Sequence, residues 1–202
     1  MKISTRAACL AVSLALAGQA AADLSAVPAG SYGLDKTHGY ITFTYSHLGF
    51  SYPRVGFDAF DVALDLDNEA PENSSLEVMI DAASINSRVE EFDEHLNGDK
   101  FFDTGEYPNI DFQSTGIEQT GDDTFTVNGN LTIKGVTKAV TLDAKINKAA
   151  THPLSKTPTV GVSATTSLLR SEWGLGDYVP MVSDRVEVEI EVELPKLGDP
   201  AP

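Results

Sequence analysis

Along most of its length the chain alternates apolar and polar residues with period two. In RVEVEIEVEL, Val186, Val188, Ile190, Val192 and Leu194 share one face, and Glu187, Glu189, Glu191 and Glu193 the other. Such alternation is the signature of a strand with one dry and one wet face. The glutamates also discourage edge-to-edge pairing. The pattern recurs in YITFTYSH, with Ile41, Phe43, Tyr45 and His47 on one face, and in FDVALDLD, with Phe60, Val62, Leu64 and Leu66. LEVMID, NIDFQS (Ile110, Phe112), TFTVNGNLTI (Phe125, Val127, Leu131, Ile133) and AVTLDAKI follow it too. In TVGVSATTSLLR the apolar parity runs from Val160 to Leu168 and takes in Arg170.

The pattern predicts an all-β fold of about eight strands, with hairpin turns at 120–123 (TGDD) and 134–138 (KGVTK). Asn128-Gly129 is expected to be a glycine bulge within one long strand rather than a tight turn. Long antiparallel strands close into barrels to remove their edges, so an extended eight-stranded antiparallel barrel is expected. An eight-stranded barrel is either filled by side chains or holds one small ligand. Ala59, Ala144, Ala164 and Gly129 on the inward parity would leave room.

The rhythm breaks once, at SRVEEFDEHLNGDKFFDTGEYP. Ser87 and Glu90 have capping-box spacing. Val89, Phe92 and Leu96 share one helical face, and Asn97-Gly98 ends the turn. A short helical insertion is therefore expected, followed by Phe101, Phe102, Tyr107 and Pro108. These rings form either a plug closing one barrel end, the plainer reading, or a lid lining a ligand mouth.

MKISTRAACLAVSLALAGQAAA carries Lys2 and Arg6, an apolar run and Ala20-Ala21-Ala22. That layout predicts a secretory signal peptide over 1–22, cleaved after Ala22, and a periplasmic or secreted domain over 23–202. Cys9 is the only cysteine, so the mature domain must be stabilised by packing without disulfides. Without Lys2 and Arg6, 12 basic residues face 30 acidic ones, a formal charge of −18. That balance repels nucleic acid and anionic lipid surfaces.

The histidines show no local metal-binding spacing: His38 and His47 lie on opposite parities, and no metal site is expected. Ser171, Asp93 and His95 show no nucleophile setting, and no catalytic residue is assigned. His47 and Arg170 share the parity of inward apolar residues at strand ends. Each is either a cavity group or, for Arg170, a lock paired with Asp35 or Asp184.

Taken together, YGLDKTHGYITFTYSHLGF, FDEHL…FFDTGEYPNIDFQS, GNLTIKGVTKAVTL and LLRSEWGL resemble the YceI-like family across residues 31–194. One departure is Phe92, where the family often has Arg before the Asp of the helix. The resemblance implies a lipocalin-like periplasmic barrel with an apolar tunnel holding a polyisoprenoid or other amphiphilic lipid. The positions expected to bind are Phe43, Tyr45, His47, Phe101, Phe102, Tyr107, Phe112, Phe125, Arg170 and Trp173. No cofactor is expected beyond a non-covalently held isoprenoid, quinone or fatty-amide-type lipid. The strong negative charge favours a neutral head group over a pyrophosphate. A second reading is a non-catalytic accessory module with a packed barrel, touching a membrane redox or stress-response protein. A homodimer is left open. Interior volume separates the two readings.

Overall fold

The computed structural model describes residues 23–198, so the expected signal peptide lies outside the described residues. Eleven strands form one antiparallel sheet: β1 (Gly30–Gly33), β2 (Gly39–Thr44), β3 (Arg54–Phe57), β4 (Phe60–Leu66), β5 (Ser75–Asp81), β6 (Ile85–Asn86), β7 (Asn109–Gln119), β8 (Thr124–Ile133), β9 (Val136–Thr151), β10 (Pro158–Leu169) and β11 (Arg185–Pro195). Their order is β1-β4-β5-β7-β8-β9-β10-β11-β2-β3-β6. β1 and β2 belong to one run, both beside β11, and β3 passes into β4 through Asp58 and Ala59 alone. Because β2 pairs with β3 and β4 with β5, the ladder closes on itself as a barrel of eight staves. The expected eight strands thus become eleven: two staves are interrupted, and β6 adds a two-residue patch beside β3.

The alternation explains the walls. In β11, Val186, Val192 and Leu194 are buried and the glutamates stay outside. β11 is paired on both sides, with β10 and β2, so its glutamates guard no edge. They answer outer-wall partners instead, such as Arg54 Nη1, 2.6 Å from Glu189 Oε2.

Lys134 and Gly135 connect β8 to β9 at φ +49° and +72°. Two consecutive left-handed residues make the tightest hairpin compatible with strand twist. Asn128-Gly129 does lie inside one long strand, but the bulge is in its neighbour, where the β7–β8 register shifts between Ser114 and Gly116. Gly129 instead gives room to a neighbour, because a Cβ there would strike the ring of Phe112, which packs over the bare backbone.

The helix α1 (Glu90–Asn97) interrupts the barrel between β6 and β7. Its N-cap is Val89, not Ser87. The expected capping box fails because Asp93 reaches back, its Oδ1 accepting the Ser87 N–H at 2.6 Å. The carboxylate satisfies a backbone donor two residues ahead of the helix cap, and the helix starts later. Among the described residues no helix is long and apolar enough to cross a membrane.

Candidate functional site: an apolar cavity under a helical lid

The inward faces of the staves do not meet. They leave a cavity of about 790 Å³ toward the α1 end and a smaller one of about 120 Å³ toward the other end. Ile41, Val78, Leu142 and Ile190, from four different staves, line both. These four side chains form a constriction between two chambers on one axis. The wall of the large chamber is apolar, with Phe43, Phe112, Leu131, Val140, Leu168 and Val188 among its residues. Ala144 and Ala164 open the small chamber. Ala59 is exposed, because the short link between β3 and β4 turns it outward, and the space at Gly129 is taken by Phe112.

The lid is α1 with the turn that follows. Val89, Phe92 and Leu96 all face the large chamber, so the helical spacing identified the correct stripe. Phe101 and Phe102 then part company. Phe102 is 8% exposed and meets Phe57 edge-on with ring centroids 5.7 Å apart. Phe101 is half-buried and stacks on Tyr178 at 6.3 Å, with His95 edge-on at 4.9 Å. One ring anchors the lid in the core, and the other closes its seam.

Arg170, Tyr45 and His47 are among the polar side chains near this mouth. Arg170 is not paired with a carboxylate. Its Nε donates to Ser183 O at 2.9 Å, and Nη2 to Asp177 O at 2.9 Å and Val182 O at 3.1 Å. Nη1 donates to Leu175 O. Of the two expected partners, Asp184 instead accepts from the Ser171 N–H and hydroxyl, and Asp35 from the Thr37 N–H and hydroxyl. Arg170 thus laces the 175–183 segment to the end of β10. Burial lowers its pKa while Asp184, Asp177 and Tyr45 oppose that shift. Tyr45 lines the chamber and its hydroxyl bonds no other described residue; burial raises its pKa, against the pull of Arg170. His47 is at the exposed rim.

Of the expected positions, Phe43, Tyr45, His47, Phe101, Phe102, Phe112, Arg170 and Trp173 converge on the large chamber. Trp173 is buried and donates its indole N–H to Leu131 O at 3.3 Å. Phe125 lines the small chamber instead, since it lies at the opposite end of β8. Tyr107 lines neither chamber: its ring packs against Gly135 in the β8–β9 turn. Sequence reasoning missed Phe57, Tyr178 and Met181. Phe57 showed only as one apolar residue of a four-residue strand, and Tyr178 and Met181 stand in a segment without periodicity.

Away from both chambers, donor atoms of Asp35, His38 and Glu193 lie within 4.8 Å of one another. Hydrogen bonds from His38 and Thr37 lower the Asp35 pKa to about 2, and the same Asp35 bond raises that of His38.

Residues 32–194 match the model of the YceI-like domain. A UPF0312 protein of Pseudomonas putida is 34% identical over 195 residues, covering 96% of this chain and 97% of its own. The YCEI protein of Campylobacter jejuni superposes with a TM-score of 0.69 at 29% identity, covering 76% of this chain and 90% of its own. A polyisoprenoid binding domain from Saccharophagus degradans, implicated in plant cell wall breakdown, superposes at 0.64 with 15% identity, covering 84% of this chain and all of its own. On this match across the barrel, the chain belongs to the YceI-like domain family.

Proposed function

We propose that this protein binds the apolar chain of an amphiphilic, isoprenoid-type lipid inside the barrel and acts as its carrier or reservoir. The observation that carries the reading is the large chamber: about 790 Å³ of apolar-walled space beneath a lid. A packed accessory module would have filled it. The polyisoprenoid binding domain of similar fold supports the ligand class.

A molecule of liquid water takes about 30 Å³, and a methylene is of similar size. The large chamber therefore takes on the order of 25 such groups. A longer tail must cross the constriction into the small chamber. Burial contributes roughly 0.8 kcal/mol per CH₂, offset by lost chain freedom. Apolar contact discriminates poorly between similar tails, so selectivity should lie at the head group.

A neutral head fits best. Four of the five N–H groups of an arginine are already committed at Arg170 to carbonyl oxygens, which leaves little to clamp a pyrophosphate. The hydroxyl of Tyr45 lines the chamber without a hydrogen bond to another described residue, suited to a quinone, alcohol or amide. No reaction is assigned to the site; it binds.

The reading includes export to the periplasm, supported by the sequence layout of residues 1–22. N-terminal sequencing of the mature protein is expected to start at Asp23; a start at Met1 would reject export with cleavage. The binding test is to extract lipid from the purified protein, refold it, and titrate a long-chain quinone against Trp173 fluorescence. Saturable quenching and an isoprenoid or related amphiphile in the native extract are expected. Absence of both would put the accessory-module reading ahead.

A further inference from the structure

We infer that the tip formed by the 46–53 and 178–183 loops inserts into a neutral, zwitterionic bilayer surface. Its exposed side chains are the first observation. Phe50 is 90%, Tyr52 74%, Met181 61%, Leu48 50% and Tyr178 49% exposed. Large apolar side chains grouped at one place on a soluble protein mark an interaction surface.

The loops also cannot fold these side chains away. Leu48 N–H donates to Met181 O at 3.0 Å, and Ser183 N–H to Ser46 O at 3.0 Å. Ser46 N–H donates to Ser183 Oγ at 2.9 Å. Leu48 and Tyr178 both adopt left-handed backbone, at φ +53° and +66°. That conformation is unfavourable for bulky residues and persists only where the surroundings impose it. The chain thus holds two strained residues at an exposed tip and ties them together.

Charge selects the occupant. SHLGFSYP (46–53) and YVPMVS (178–183) contain no Asp, Glu, Lys or Arg, in a chain of formal charge −16. Glu90, Glu91 and Glu94 are exposed on the lid helix nearby. An uncharged apolar tip on an acidic body complements a neutral bilayer, and an anionic surface would repel the body behind it. Aromatic side chains such as Phe50, Tyr52 and Tyr178 suit the boundary between head groups and acyl chains.

Position gives the tip its use. Leu48, Tyr178, Met181 and Val182 line the large chamber as well as the tip. A tail leaving the chamber along them would pass into the bilayer without crossing water. This purpose rests on the lipid-binding reading; the insertion itself rests on exposure, strain and charge.

The experiment is flotation of the mature protein with phosphatidylcholine vesicles. The wild type should float with them. The double variant Phe50→Ser/Met181→Ser should bind at least about tenfold more weakly, from the apolar area lost. Leu154→Ser is the control, since Leu154 is equally bare at 86% exposure but belongs to the β9–β10 connection at the other end; it should float as wild type does. Replacing a third of the lipid with phosphatidylglycerol should weaken binding. In Phe50→Trp, brominated phosphatidylcholine should quench the new emission, which separates insertion from adsorption. Equal melting temperatures exclude misfolding; Phe50→Ser alone, at a residue that lines neither chamber, should also float less while leaving the quinone titration unchanged, which separates this surface from the cavity. Three results overturn the proposal: no flotation, flotation indifferent to Phe50→Ser/Met181→Ser, or concentration-dependent self-association that the same variant abolishes. The last would make the tip a contact between two copies of this chain.

Discussion

The two ends of this barrel are built from the same staves, yet they are covered in different ways. At the far end the segment before β1 folds across the opening. Val27 and Tyr32 are fully buried there, and Leu24 lines the small chamber. Tyr32 donates its hydroxyl to Pro28 O at 2.5 Å, and Asn68 Nδ2 donates to Val27 O at 2.9 Å. At the mouth the covering is a helix with one deep ring, one seam ring and exposed apolar loops. Closure of a barrel end is therefore a property of the connecting segments. The far cover is pinned by buried Leu24, Val27 and Tyr32 and by two side-chain hydrogen bonds to its backbone carbonyls. The lid is pinned by buried Leu96 and Phe102 with a half-buried seam, and elements that must open are drawn from the less stable parts of a fold.

The sharpest way to break this contrast is at the two neighbouring phenylalanines of the lid. Phe102→Ala should cost about 3–5 kcal/mol of stability, as expected for deleting a buried ring. Phe101→Ala should cost far less but release bound lipid faster, since it removes the stack on Tyr178. Chemical denaturation and lipid-exchange rates measured on both variants will show it. Equal losses of stability with unchanged exchange would make the whole cluster a plug and erase the difference between the ends.

Arg170 comes next. Arg170→Met keeps the bulk and removes the donors that hold four carbonyl oxygens. Losing charge-assisted bonds of this kind costs about 2–3 kcal/mol. The loosening should be confined to 175–183, so hydrogen exchange should accelerate there and leave 24–32 unchanged.

A smaller effect is expected at the constriction. Val78→Phe narrows the passage between the chambers, and overpacking costs about 1–3 kcal/mol. Tails that fit the large chamber should bind as before, and longer ones should bind more weakly. A competition series of isoprenoid alcohols of increasing length will reveal a step at the length where the tail must cross.

The smallest effect concerns pH and the outer wall. Asp35 is held low by bonds from His38 and Thr37, so its contribution is present above the ordinary carboxylate value, near pH 4. It is lost as pH falls through about 2. His38 is raised by Asp35, so its contribution is whole below about pH 6.5 and lost as pH rises through its folded value. The pair thus stabilises most between these limits. Denaturation midpoints of the wild type should decline on both sides of that window, and His38→Ala should remove the decline on the alkaline side.

Much of the fold was legible because one face of each strand must be dry. The alternation from Val186 to Leu194 assigned the inner face of β11 residue by residue. The stripe of Val89, Phe92 and Leu96 did the same for the lid. The site was legible where an inward parity carried a ring or a charge, as at Phe43, Tyr45 and Arg170. It was illegible where position depends on the end of a strand or on a loop. Phe125 and Phe112 have the same pattern, yet they face different chambers. Tyr107 looks like its neighbours Phe101 and Phe102, yet the turn at Gly135 holds it outside. Tyr178 carries no periodic signal, because its segment is held by the backbone bonds of Met181 and Ser183 to the distant 46–53 loop.

The sequence by itself determined the long strands, their inward faces and the site of the interruption, because burial selects a period and period is local. Tertiary structure alone decided that two staves break into segments, that four residues from separate staves meet as a constriction, and that Arg170 answers carbonyl oxygens rather than a carboxylate. Each of these depends on where the curvature of the closed sheet brings distant residues together, and that curvature is a property of all the staves at once.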